Sequence, residues 1–274
     1  MNEDSNFFPE EKKQMNLPIF HANDMLPLQL NSASQGHQRK WFTGDYYVKE
    51  SLISQGKIWK DHLVEIISGE IGKLFSEYAE VVTQFECIID DNGKQFSGCY
   101  SKNFCKGDET FISFEKLCST NKIFFEYDWD YKDRFENFLA ILKSTTGLDC
   151  TEYFYTMVLI DYLVGNEDRN LNNFGVIKSG SGFRIAPLFD FGLGLFEYDC
   201  KYKQKPFNEC LSMMQSKPFS IDNQEITDYV LARGASYMLP KEINLSNCQI
   251  PSGKAEEYLR NRCEHLGIEL VVTN

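Results

Sequence analysis

The stretch Asn166-Glu167-Asp168-Arg169-Asn170-Leu171-Asn172-Asn173, followed by Ala186-Pro187-Leu188-Phe189-Asp190-Phe191-Gly192, decides how this chain is read. Asp168 and Asn173 are five residues apart, and Asp190 lies twenty-two residues beyond Asp168. Phosphoryl transfer to a hydroxyl needs such a set: one carboxylate for the acceptor proton, and an amide with a second carboxylate for magnesium. Magnesium prefers oxygen ligands and is usually held by one or two carboxylates plus substrate phosphates. The order agrees too, with the base first, the amide five residues later and the metal-binding Asp after a hairpin.

The local structure around these residues is legible. Phe154, Met157, Val158, Asp161 and Tyr162 recur at helical spacing, so a largely apolar helix leads into the loop, and Gly165 with Asn166 ends it. Phe174 to Ile177 reads as a short buried strand, residues 179–182 as a tight turn, and Phe183 to Ile185 as the returning strand. Such a hairpin brings Asn173 and Asp190 near each other. A purely structural Asn-rich turn would require three separate positions to agree by accident. A calcium loop is excluded, because Leu171 stands where Gly is needed and Ile177 where a bidentate Glu is needed.

The strings DYLVGNEDRNLNNFGVI and IAPLFDFG resemble the catalytic core of HipA-like bacterial serine/threonine kinases. The resemblance is strongest over residues 150–195, moderate over 31–125 and thin elsewhere. It departs from many relatives at Asn170, where they carry His. It implies an α+β, two-lobed protein-kinase-like fold related to phosphoinositide 3-kinases, with a small β-rich N-lobe and a larger helical C-lobe. The expected division is a tail over 1–16, an N-lobe over 17–101 and a C-lobe over 102–274. The implied roles are Asp168 as the residue that accepts or orients the acceptor hydroxyl, and Asn173 and Asp190 as magnesium ligands.

The amino-terminal part carries a weaker constellation. Residues 31–40 read Asn-Ser-Ala-Ser-Gln-Gly-His-Gln-Arg-Lys, and small residues with a Gly let backbone N–H groups approach an anion. The resemblance places the phosphate-binding loop at Ser32 to Gly36, including Ser34; it is not a Walker motif. Lys49 ends the apolar run Tyr46 to Val48, where a lysine can reach the α- and β-phosphates. Its carboxylate partner comes from a helix expected over Ile58 to Ser76, which offers Glu65 and Glu70. Glu70 falls on the side with Trp59, Leu63, Ile66 and Leu74, whereas Ser68, Gly69 and Gly72 follow Glu65 on a flat face. The family pattern favours Glu65 and leaves Glu70 as the rival. Val81 to Ile89 reads as a strand, Asp91-Asn92-Gly93 as a hairpin turn, and Phe96 to Ser101 as the return strand and hinge. Phe96, Cys99 and Tyr100 are the candidate adenine neighbours. Residues 127–146 and 222–270 read as helical, the latter with Tyr229, Leu231, Tyr237, Leu259 and Leu266 as core.

Composition sets outer limits. The chain has 274 residues, 42% hydrophobic, enough for one large domain or two lobes. Its net charge is −12, without the basic footprint that direct nucleic-acid binding requires. Nine cysteines without a Cys-x-x-Cys pair, and four scattered histidines, disfavour structural zinc and fit reduced thiols. Met1 to Met15 lacks an apolar run, so no secretory signal is expected; the apolar stretch at Met157 to Val164 is too short to span a bilayer. A cytoplasmic protein is therefore expected. Within Leu193 to Pro218, a candidate activation or substrate segment, Lys201, Lys203, Lys205 and Lys217 interrupt the acidic background.

The resemblance thus implies an ATP- and Mg2+-dependent kinase acting on a protein with a Ser/Thr acceptor, with an antitoxin protein as candidate partner. Two rivals are a phosphoinositide-type lipid kinase, which the acidic balance disfavours, and a non-catalytic pseudokinase, against which the intact Asp168, Asn173 and Asp190 stand.

Overall fold

The computed structural model describes residues 17–28, 38–54, 57–124, 129–197 and 200–273. The segment 1–16 and the phosphate-loop residues Ser32, Ser34 and Gly36 lie outside them. The amino-terminal elements are β1 (Ile19–His21), β2 (Leu26–Pro27), β3 (Lys40–Phe42), β4 (Tyr46–Glu50), β5 (Ile53–Ser54), β6 (Lys57–Ile58), α1 (Asp61–Lys73), β7 (Phe85–Asp91) and β8 (Lys94–Lys102). Then follow β9 (Thr110–Ser113), α2 (Phe114–Thr120), α3 (Tyr131–Thr146), α4 (Thr151–Val164), β10 (Gly175–Ser179), β11 (Gly182–Ile185), α5 (Cys200–Gln204), α6 (Phe207–Leu211), α7 (Asn223–Ala232), β12 (Glu242–Asn244), α8 (Gly253–Leu266) and β13 (Glu269–Val271). The fold is mixed α+β and two-lobed: a six-stranded sheet with one helix across it, and a larger helical lobe.

The first sheet runs β1-β7-β8-β4-β3-β2, antiparallel except for β1 on β7. Asn92 and Gly93 both adopt positive φ, 56° and 84°, so the Asn-Gly pair makes the tight β7–β8 turn expected of it. The register sets Lys40 opposite Lys49, and Lys49 opposite Cys99, so all three point to one face of the sheet. In the second lobe α4 is the axis. From Tyr153 to Val164 every residue is buried, and the helix packs against α1, α7 and α8. It stops at Gly165, φ +63°, whose N–H bonds the Tyr162 carbonyl. A helix hydrophobic all round belongs in a core. The β9-β10-β11 sheet then carries the chain from the loop after α4 toward Asp190.

Several boundaries differ from the sequence expectation. Helix α1 starts at Asp61, because Trp59 N–H closes the β5–β6 hairpin onto the Leu52 carbonyl (2.9 Å) and the Asp61 side chain accepts the Leu52 N–H (2.9 Å). Residues 81–84 leave the first sheet, since Val81 bridges Leu188 and Val82 N–H bonds the Leu188 carbonyl at 2.9 Å, so β7 begins only at Phe85. The span 222–270 is not continuously helical: β12 and β13 pair in parallel between and after α7 and α8. Tyr237 is 60% exposed rather than core, with its hydroxyl on Glu152.

Gly98 in β8 lies where a Cβ would come within 2.3 Å of the Lys49 carbonyl oxygen. A backbone oxygen inside a ladder cannot step aside, so Gly98→Ala should force β4 and β8 apart. The expected loss is about 1–3 kcal/mol, as for other overpacked sites, read as a lower urea midpoint at unchanged m-value.

Candidate active site

Asp161 is the one charged residue within the buried run of α4, at 4% exposure. Its two oxygens take Arg169 in a fork, Nε to Oδ2 at 2.9 Å and an η-nitrogen to Oδ1 at 2.8 Å, and Oδ1 also accepts Asn166 Nδ2 at 2.8 Å. Arg169 is completely buried and lies 4.4 Å from the centre of the Phe191 ring. Its other η-nitrogen donates to two carbonyls at once, Asn173 O (3.2 Å) and Phe189 O. Two carbonyls that share one nitrogen are neighbours, so this guanidinium holds the chain at Asn173 beside the chain at Phe189–Asp190.

The loop itself presents its groups. The Asp168 carbonyl accepts Asn170 N–H at 2.7 Å and Asn173 Nδ2 at 3.1 Å. The Asn173 amide is thereby oriented with its oxygen left over, and no described residue donates to it. Asn170 Nδ2 also reaches the Asp168 carbonyl (3.4 Å), not its carboxylate. The half-buried Asp168 carboxylate has no hydrogen-bond partner among the described residues. Burial pushes its pKa up, Lys217 draws it down, and the negative charge of Asp190 raises it again.

Across the interface between sheet and helical lobe, Lys49 Nζ meets Glu65 Oε1 at 2.5 Å and Asp190 Oδ1 at 2.6 Å. Glu65 Oε2 accepts the Phe191 N–H at 3.1 Å. Glu65 thus grips both the lysine and the chain beside Asp190. Lys40 stands 3.6 Å from the same Asp190 oxygen. Burial opposes the charges, but Asp190 and Glu65 outweigh it at Lys49 and hold that ammonium above its ordinary value. At Asp190 the same burial is outweighed by Lys49 and Lys40, and the carboxylate stays well below the usual range. Asp190 sits at φ +63°, left-handed backbone that Asp tolerates better than most residues. The rival Glu70 turns outward and pairs with Lys73 at 2.5 Å. The face of α1 that is buried runs through Leu63, Val64, Ile67 and Ile71 instead.

Lys40, Lys49 and Asp190 line a cleft of about 230 Å3, walled by Val82, Gln84, Ser101, Phe104, Phe111 and Phe189 among others. Phe96, Cys99 and Tyr100 are not among its lining, whereas Ser101 of the same strand is. Strand alternation turns Phe96 and Tyr100 to the face opposite Lys49. Phe96 lies under Arg39, and Tyr100 packs on Phe20, Tyr46 and Phe85. Cys99 shares the face of Lys49 but is sealed at 1% exposure.

The donor set suits a magnesium nucleotide. Asp190 Oδ2 and Asn173 Oδ1 have no described partner, two oxygens of the kind a phosphate-bound magnesium takes. No group of three or more His, Cys, Asp or Glu gathers among the described residues. Gln84 stands in the cleft wall, with its Oε1 buried and without a described donor.

Sequence reasoning gave no role to Arg169, Asp161, Lys40 or Gln84. A lone carboxylate in a wholly buried helix demands a partner, and that signal pointed to Asp161. No local signal existed for Gln84, whose position depends on the bridge of Val81 to Leu188.

The fold is shared with a known kinase. It is similar to the Helicobacter pylori proinflammatory kinase CtkA at TM-score 0.58 and 17% identity, over 91% of this chain and 93% of that one. A weaker similarity links it to HipA of Shewanella oneidensis MR-1, solved with HipB and operator DNA, at TM-score 0.38 and 14% identity, over 89% of this chain and 61% of that one. No protein-family model matches the sequence, and neither does any curated protein. Among the described residues no helix is long and apolar enough to cross a membrane.

Removing Asp161 would leave a buried guanidinium unpaired. Asp161→Ala should cost about 3–5 kcal/mol, measured by chemical denaturation, whereas a surface pair such as Arg260–Glu256 should lose about 1 kcal/mol or less on Glu256→Ala.

Proposed function

We propose that this chain is an ATP- and magnesium-dependent serine/threonine protein kinase of the HipA-like kind. The observation that carries the reading is the Lys49–Glu65–Asp190 knot, in which one cation joins a strand, a helix and the segment after a hairpin. In this reading Lys49, held by Glu65, binds the α- and β-phosphates. Asp190 and Asn173 hold the metal, which when bound neutralises charge on the phosphate oxygens. Asp168 takes the proton of the acceptor hydroxyl as that oxygen bonds to the γ-phosphorus and the bond from that phosphorus to the β,γ-bridging oxygen breaks, with ADP as the leaving group. Its unpartnered, half-buried carboxylate supports that role, because a base needs a free lone pair and a pKa nearer the working pH. Positioning and charge account for most of the rate.

A protein acceptor is preferred over a phosphoinositide, since the net charge of −12 disfavours an anionic membrane surface. The antitoxin partner rests on the sequence resemblance, and cytoplasmic residence on the free state of the eight described cysteines.

Asp190→Ala should lower transfer to a casein-like protein by about 10²–10³-fold or more, the scale of losing one charge-stabilising group, with the far-UV circular dichroism unchanged. Parental activity in that variant would rule the assignment out. Because Asp168 must be ionised to act and burial raises its pKa, kcat/KM should fall on acidification at a pH above the ordinary Asp value of about 3.9. An acid limb at or below that value would contradict its role.

A further inference from the structure

A second cavity, of about 300 Å3, opens in the helical lobe between the start of α3 and residues 215–225. It shares no lining residue with the nucleotide cleft. Its wall is tied to the catalytic loop, since the Gln215 N–H donates to Glu167 Oε1 at 3.1 Å and Glu167 precedes Asp168. Glu167 is buried and also accepts the Tyr202 hydroxyl, so this wall cannot drift from the loop.

Most charged groups around the cavity are engaged. Asp130 caps α3 by accepting Lys132 and Asp133 N–H, each at 2.8 Å. Arg134 donates to the carbonyls of Pro218, Phe219 and Trp129. Glu225 accepts the Ser220 hydroxyl at 2.7 Å. Lys217 differs, making no ion pair or hydrogen bond with a described residue. It lies close enough to Asp168 and Glu167 to draw both carboxyl groups toward ionisation. Beside it Ile221 is 85% exposed, an apolar rim on a cavity that also contains Tyr131 and Phe219.

We infer that this cavity is the docking site for the acceptor polypeptide, that it takes an apolar side chain against Ile221 and Tyr131, and that Lys217 selects an acidic residue close in sequence to the acceptor hydroxyl. The inference rests on the kinase reading above. Lys217, which has no described hydrogen-bond or ion-pair partner, and the apolar wall are complementary to a segment that sets an acidic residue against Lys217 and an apolar one against Ile221, and a lysine placed against Lys217 is repelled. The lysine-bearing segment after Asp190 thus supplies local positive charge in an otherwise acidic protein.

Fluorescent peptides with Ala in place of the acceptor make docking measurable without chemistry. By anisotropy the full chain should bind peptides with Glu beside that position about fivefold or more tighter than peptides with Lys there, the scale of one partly exposed charge pair. Lys217→Glu should invert this preference, and the uncharged Ile221→Ser should weaken only peptides that carry an apolar residue. MgATP affinity, measured by calorimetry in both variants, reports that the nucleotide cleft is intact. Equal binding of Glu and Lys peptides by the parent, or an unchanged preference in Lys217→Glu, overturns the inference. A Glu preference that Lys217→Glu inverts, without transfer to the matching Ser peptide, upholds the docking site and removes the kinase activity instead.

Discussion

The buried fork between Arg169 and Asp161 is the interaction on which the rest of the site depends. Two charges are taken out of water, at a desolvation cost that their attraction rarely exceeds by much. What the fork contributes is position. Asp161 is fixed because α4 is buried on all sides, and Arg169 is fixed to Asp161 by two hydrogen bonds. The remaining donor of the guanidinium then joins the carbonyls at Asn173 and Phe189. A helix buried on all sides therefore sets where the loop and the segment carrying Asp190 stand.

A second charged knot connects this frame to the sheet. Lys49 bonds Glu65 and Asp190, and Glu65 reaches over to the Phe191 N–H. Three elements remote in sequence meet at one ammonium. Lys40, paired with Lys49 across β3 and β4, adds a second cation beside the same carboxylate. In a chain of net charge −12 this concentration of positive charge is local and directed into the cleft. The same two cations keep Asp190 ionised.

Much of this was legible because it is local. The apolar helix ending at Gly165, the hairpin of β10 and β11, and the Asn-Gly turn between β7 and β8 are written in spacing and turn chemistry. The hairpin explains why Asn173 and Asp190 can be neighbours despite the residues between them. Boundaries fared worse where another segment competed for the backbone. Leu188 captures Val81 and Val82, so the strand starts late; the β5–β6 hairpin closes onto Leu52, so α1 starts late. Tyr237 has the composition of a core residue, yet its place at the end of the helical lobe leaves it in water, hydrogen-bonded to Glu152.

The sequence by itself determined the order of the chemical groups, since a carboxylate, an amide and a second carboxylate at fixed spacing follow from one helix, one loop and one hairpin. It also determined that Lys49 lies on a strand and that Glu65 and Glu70 share a helix. Only the tertiary structure decided between those two glutamates, because the choice depends on which face of α1 meets the chain at Phe191. It likewise decided that Gln84 and Phe104, not Phe96, Cys99 and Tyr100, wall the cleft. Strand pairing and the crossing of remote segments set those faces, and neither is encoded in any short run of residues.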